Sequence, residues 1–404
     1  MTMEETRNVA VVSARASRGK RFHELDSIRG VAAVAVAFYH FFLGWLGFGH
    51  PTGWHSAVLK AAYPLYAGPE AVRLFFVLSG LVLALSYGRG QSYVVFMGRR
   101  VTRIYGPYLV ALALTVLGAS IWHGSIEHSA LRGCCWSEPV SRGLVVQHIL
   151  FLGDYDFGQL NPVFWSLVHE MRISIIFPLI FFVVNRLSTR GALALAAGCT
   201  LVSMVIMRFF MAWITPIWPM SLAMTVHYIA FFIVGILIAR NLPAIGSWYA
   251  GLSKRAQWSL LLSSFLLYNF IAVLAAGLLG PHTKLLIGVS DWGTATGAAG
   301  IIISVLFSVR LNHIFRTAVP VFLGRISYSL YLLHIPVLLT LAFVLQKRFV
   351  LSAALLLPIY IVAALVAAYL FCIGVEEPFT RLGRRLGNRE TPEVPSAPSQ
   401  LSQV

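Results

Sequence analysis

The chain has 404 residues, 58% of them hydrophobic and 11% charged, with a formal net charge of +16. So little charge cannot cover a soluble domain of this size, and the apolar excess must face lipid. On a soluble protein the basic surplus would suggest nucleic acid, but no aromatic-and-basic recognition motif accompanies it; it reads instead as loops held at an anionic cytoplasmic leaflet.

The chain opens with Arg7, Arg15, Arg18, Lys20 and Arg21 ahead of the apolar stretch 28–46. That stretch is too long, and too aromatic at its far end, for a cleaved signal peptide, so it is expected to stay as a first membrane helix. Nine further apolar stretches follow, at roughly 72–88, 104–122, 162–184, 192–213, 222–239, 257–279, 293–309, 319–345 and 350–374, each near the length a helix needs to cross the hydrocarbon core. Basic residues test this map. With the N-terminus inside, the inner loops hold Arg89, Arg99, Arg100, Arg103, Arg186, Arg190, Arg240, Lys254, Arg255, Arg310 and Arg316, and the inner tail holds Arg381, Arg384, Arg385 and Arg389. The outer loops hold Lys60, Arg132, Arg142, Lys284, Lys347 and Arg348, the last two being the local exception. The bias predicts ten helices with both termini cytoplasmic.

The longest outer segment, 123–161, holds Glu127, Glu138, Asp154 and Asp156 and is a candidate lid or acceptor-facing surface. The Pro- and Ser-rich tail beyond Arg389 is predicted to be disordered. The expected division is a basic cytoplasmic segment 1–21, a transmembrane domain 22–386 and a tail 387–404. No internal repeat of the transporter kind is visible. Cys199 and Cys372 lie in apolar stretches and are expected to pack; adjacent Cys134 and Cys135 fit a bridge to each other poorly, and the cysteine spacing fits no zinc site.

Charged groups inside membrane segments are costly and mark function by default. On the first helix Arg29 and His40 share a face with Asp26, about three turns and roughly 16 Å apart, and Ala33 and Ala37 between them leave room for a slender ligand. A snorkelling Arg and a packing His are the structural alternative. On the second helix Glu70 and Arg73 are spaced to pair with each other, and Ser79-Gly80 suits close helix packing. Arg99, Arg100 and Arg103 gather at the start of the third helix; such a cluster suits phosphate, and also an ordinary inner anchor. The fourth helix places His169, Glu170 and Arg172 deep in an apolar run, with Ser166 and Glu170 on one face and Trp165, His169 and Arg172 on another. A Glu–His pair made between helices would suit general acid–base work. Arg208, His227, Asp291 and His313 stand alone near helix ends and are expected to pack or anchor.

The same stretches resemble, in order, the motifs of the membrane-bound acyltransferase type 3 family of bacterial glycan O-acyltransferases. They are ELDSIRG…AFYH at 24–40, RLFFVLSG at 73–80, RRVTRIYGPY at 99–108, FWSLVHE at 164–170, LGRISYSLYLLHIP at 323–336 and VEEPF at 375–379. No one motif is diagnostic; six in order are specific. The resemblance implies an all-helical bundle that takes acyl-CoA, usually acetyl-CoA, from the cytoplasm, holds no bound cofactor or metal, and sits in a bacterial inner membrane. It implies His40 as the catalytic histidine, with Glu170 as its acidic partner. Arg29, Arg100 and Arg103 would bind the donor, the last two at the CoA phosphates. Asp26, Tyr331 and His334 fall within the family's motifs and would support the site, and His169 and Arg172 join that supporting set as ionisable groups deep in the fourth helix and not from the resemblance. Arg73 and the HEMRIS run depart from the family pattern, which bears on the acceptor, expected to be a cell-envelope glycan or lipid-linked saccharide. Many relatives carry an extra soluble domain after the membrane part; here a helper of that kind would be a separate protein.

A membrane carrier of an anionic or acylated small molecule is the competing reading, since a polar-lined bundle also suits transport. A subunit that only recruits other enzymes would leave the buried polar set without a role.

Overall fold

The structure, a computed structural model, describes residues 3–17, 21–45, 61–87, 91–124, 135–151, 153, 157–210, 218–279, 284–346 and 353–388. Among these residues every regular element is helical. Ten helices are long and apolar enough to cross a membrane, at His23–Leu43, Gly68–Ser86, Tyr93–Ile121, Phe164–Arg186, Thr189–Phe209, Ser221–Arg240, Lys254–Leu278, Leu286–Phe307, Ala318–Leu345 and Leu355–Arg385. Each predicted span falls on one of them. Residues 125–134, 152 and 154–156 of the 123–161 segment, which include Glu127, Cys134, Asp154 and Asp156, and the tail after Asn388 lie outside the described residues.

In chain order the elements that matter are α1 (Met3–Ser17), α2 (His23–Trp45), α3 (Gly68–Ser86), α4 (Tyr93–Ile121), α5 (Arg142–Leu150), α6 (Phe164–Arg186), α7 (Thr189–Phe210), α8 (Trp218–Arg240), α9 (Leu242–Gly251), α10 (Lys254–Leu279), α11 (Lys284–Phe307), α12 (Ala318–Leu341), α13 (Ala353–Phe371) and α14 (Glu377–Asn388). Local signals set several ends. Pro69 opens α3 where a missing N–H costs nothing, and the Ser92 side chain accepts from the Val95 backbone N–H to cap α4. Pro107, Pro178, Pro336 and Pro358 lie inside spanning helices, and the Leu332 carbonyl that Pro336 leaves free accepts from Asn161 Nδ2 at 3.0 Å.

Without a hydrophobic drive between helices in lipid, close backbone approach holds the bundle together. The first spanning helix, α2, packs along α12 at a glycine crossing: a Cβ on Gly30 would lie 2.4 Å from the Gly324 backbone nitrogen. A second crossing joins α3 to α8, where a Cβ on Gly80 would lie 2.2 Å from the Phe232 carbonyl oxygen and one on Gly235 equally close to the Val77 oxygen. These crossings fix α2, α3, α8 and α12 as the frame of the site. They also fill the space predicted beside Ala33 and Ala37: both are buried, and the Tyr360 hydroxyl donates to the Ala37 carbonyl at 3.2 Å.

The basic N-terminal segment forms a helix that the residue pattern does not announce. It docks on the bundle: Asn8 donates to the Phe307 carbonyl at 3.0 Å, Glu5 pairs with Lys254, and Arg15 pairs with buried Glu24 at 2.7 Å while lying over Phe22. At the other end of the chain a π-helical turn, Cys372–Glu376, leads into α14, whose Phe379 and Gly383 rest against Gly106 and Thr102 of α4.

Candidate active site

At the end of the bundle that gathers the start of α2, the end of α3, the start of α4 and the start of α12, three adjoining cavities open. The widest, about 600 Å³, is walled by Arg21, Arg29, Arg103, Arg325, Arg381 and Arg384, with Asp26, Glu376 and Glu377 among them. A second, about 210 Å³, runs beside it along Arg99, Arg100 and Arg103. The third, about 110 Å³, reaches inward past Ser79, Arg100, Ser166, Glu170, Tyr328 and Tyr331. Arg29 and Arg103 line all three. The concavity is thus a basic mouth that narrows onto a polar neck.

The arginines differ in what they have left to give. Arg103 is exposed and makes no ion pair among the described residues. Among the described residues Arg29 pairs with Asp26 alone, at 3.5 Å, and Asp26 is held more closely by Arg21 at 2.6 Å. Arg100 is 9% exposed and already committed: it donates to Glu170 Oε1 at 2.8 Å and to Ser174 Oγ at 3.1 and 3.2 Å. Burial in an ion pair leaves the Arg100 charge matched, whereas Arg103 presents its charge to the mouth and Arg29 is held only loosely by an Asp26 that it shares with Arg21.

Glu170 therefore faces Arg100 rather than a histidine. Its Oε1 also accepts from Ser79 Oγ at 3.0 Å. The expected Glu–His pair does not form, because α6 turns Glu170 and Ser166 toward the cavity while His169 and Arg172 point to α8. There His169 meets Thr225 Oγ1 at 2.8 Å, and Arg172 reaches Ser221, Thr225 and the Gly153 carbonyl. The predicted division of that helix into two faces holds. Ser79 joins the polar neck, which its spacing beside Gly80 had not suggested; Gly80 does serve close packing.

His40 instead meets His334 of α12. His334 Nε2 lies 3.2 Å from His40 Nδ1, and the ring centroids are 5.1 Å apart. Tyr331, one turn earlier, links this pair to the neck: its hydroxyl lies 2.6 Å from Ser166 Oγ, and its ring centroid 6.0 Å from that of His334. Neither histidine lines the three cavities, so Tyr331 is the boundary between the neck and the histidine pair. Glu376, from the VEEPF run, lines the mouth and the neck and accepts from Ser329 Oγ at 2.6 Å. The run signalled it, but its direction comes from the π-helical turn, which no spacing predicts.

The opposite half of the bundle holds a second polar group. Arg73 bonds Asp291 at 2.9 Å and not Glu70, because Asp291 of α11 and His227 of α8 converge on it; His227 Nε2 is 3.1 Å from Asp291 Oδ2. Glu70 accepts instead from the Tyr63 hydroxyl at 2.8 Å. Asp291 and His227 are thus members of one buried cluster and not isolated residues.

Residues 22–375 match the family model described as an acyltransferase domain. The chain is similar to the O-acetyltransferase PaAT-1 of Phomopsis amygdali, 24% identical over 81% of this chain and 74% of that protein. It is also similar to the acyltransferase MdmB of Streptomyces mycarofaciens, 29% identical over 32% of this chain and 33% of that one. No solved structure matches.

Proposed function

The chain belongs to the acyltransferase family whose model spans it, and we propose that it moves an acyl group, acetyl by preference, from cytoplasmic acyl-CoA to a hydroxyl of a cell-envelope glycan or lipid-linked saccharide in a bacterial inner membrane. The observation that carries this reading is the arginine-walled mouth narrowing, through Ser166 and Tyr331, toward the His40–His334 pair. A nucleotide donor with several phosphates suits the open guanidinium of Arg103 and the loosely paired one of Arg29 at the wide end. The concentration of basic residues there supports placing that end in the cytoplasm. The printed name of the Phomopsis relative supports acetyl as the group and oxygen as its destination.

In this mechanism Arg29 and Arg103 hold the CoA phosphates, and Arg100 shapes the neck with Glu170. The donor's slender arm enters the polar neck past Ser166 and Tyr331, and His40 lies beyond it, a rise of roughly 16 Å along α2 from Arg29. His40 takes the proton of the acceptor hydroxyl as its oxygen attacks the thioester carbonyl carbon. The C–O bond forms, the C–S bond breaks, and the departing thiolate takes the proton back from His40. The second polar group, Tyr63–Glu70 with Arg73–Asp291–His227, suits a hydroxyl-rich acceptor entering from the opposite side.

Purified protein in nanodiscs should hydrolyse acetyl-CoA and pass labelled acetate to envelope glycans, and His40→Ala should lose both while remaining folded. Normal transfer by that variant, or no acetyl-CoA turnover by the wild type with glycans present, would refute the scheme; solute movement without acyl-CoA consumption would establish the carrier.

A further inference from the structure

The hydrogen bonds around the histidine pair determine where its protons sit. His334 Nδ1 faces the Leu330 carbonyl oxygen at 3.1 Å. A carbonyl only accepts, so Nδ1 of His334 carries a proton. An imidazolium there would lack any carboxylate partner among the described residues, so the ring is neutral and its Nε2 bears a lone pair. That lone pair faces His40 Nδ1 at 3.2 Å, and the Val36 carbonyl oxygen faces the same nitrogen at 2.9 Å. Both neighbours accept, so His40 Nδ1 must donate, in one bond shared between them.

We infer that His334 is the positioning residue of the reaction: with the Val36 carbonyl it pins the His40 proton on Nδ1 and leaves Nε2 bare as the base. This rests on the acyltransferase reading and assigns to a second histidine the orienting task that a carboxylate performs in a Ser-His-Asp triad. It also accounts for two features of the site. Glu170 is free to neutralise Arg100, because His40 does not need it. And His334 is fully buried while His40 stays partly accessible, as suits an orienting ring behind a reacting one. When His40 takes the acceptor's proton on Nε2, the imidazolium shares its Nδ1 proton with the His334 lone pair and the Val36 oxygen. Handing the Nε2 proton to the CoA thiolate restores the starting state.

The test uses the full chain in nanodiscs with 15N-labelled histidine, His40→Ala supplying the assignment of the His40 ring. The wild-type spectrum should show His40 protonated on Nδ1 and bare on Nε2; the opposite tautomer overturns the inference whatever the activity. His334→Gln, whose amide oxygen can accept the same proton, should keep the tautomer and hold acetyl-CoA turnover within about tenfold of wild type. His334→Phe should mix the tautomers and lower kcat by roughly 100-fold or more, with KM for acetyl-CoA unchanged. An unmixed tautomer in His334→Phe, or equal kcat for the Gln and Phe variants, also overturns it. If wild-type turnover is absent, the acyl-CoA reading fails, while the tautomer in the spectrum still decides the role of His334.

Discussion

Among the arginines, the state of pairing separates binding from architecture. Arg103 stands open at the mouth, so truncating it should weaken donor binding uniformly. Arg103→Ala should raise KM for acetyl-CoA about 10- to 100-fold, the worth of one charged hydrogen bond, with kcat nearly unchanged. Arg100 behaves differently because Glu170 depends on it. Removing one partner of a buried pair strands the other charge, so Arg100→Ala should cost about 3–5 kcal/mol of stability and most of the activity together. Replacing both partners, Arg100→Met with Glu170→Leu, should restore thermal stability measured in detergent without restoring turnover. A double variant as unstable as Arg100→Ala would show that the pair is not the source of the loss. The sequence placed both arginines in one cluster; only the neighbouring helix shows that one is already taken.

At the scale of helices, the site is held by crossings in which backbone meets backbone. Gly30 and Gly324 bring α2 against α12, and His40 and His334 ride on the same two helices. A methyl on Gly30 has no room 2.4 Å from the Gly324 nitrogen, and no flexible side chain is there to yield. Gly30→Ala should therefore cost about 1–3 kcal/mol by overpacking. It should also lower acyl-transfer kcat by spreading the histidine pair, whereas Gly198→Ala, where nothing lies within reach of a Cβ in the middle of α7, should not lower thermal stability and should leave kcat unchanged. All ten spans were legible in the sequence, because an apolar run long enough to cross the hydrocarbon core seldom does anything but cross it. The two faces of α6 were legible as well, from the offset of Ser166 and Glu170 against His169 and Arg172. Which helices are neighbours was not. In lipid both faces of a helix are apolar, so no stripe marks the inward side. Hence Arg73 was matched with nearby Glu70 instead of distant Asp291, and Glu170 with a histidine instead of Arg100. The N-terminal helix was hidden for the converse reason: its short polar run looks like an anchor until Asn8, Glu5 and Arg15 find their partners.

For the molecule as a whole, the +16 charge is distributed and not merely abundant. The mouth gathers Arg21, Arg29, Arg103, Arg325, Arg381 and Arg384, and this field should draw a polyanionic donor to one end. Raising ionic strength from about 0.1 M to about 1 M shortens the screening length from about 10 Å to about 3 Å. KM for acetyl-CoA should rise with salt, and the rise should be smaller in Arg103→Ala. On the proposed reading the same asymmetry sets the orientation. Anionic cytoplasmic lipid and the positive-inside bias both favour the arginine mouth on the cytoplasmic face, and an orientation of that kind would put the turn between α6 and α7 inside and the start of α5 outside. On a background with the four native cysteines replaced, a cysteine at Ser188 should resist an impermeant thiol reagent added to intact cells and react after permeabilisation. A cysteine at Ser141 should react in both. The reverse pattern would put the basic mouth outside the cell, away from any cytoplasmic thioester, and the donor side of the mechanism would have to be abandoned even though the fold and the histidine pair stood unchanged.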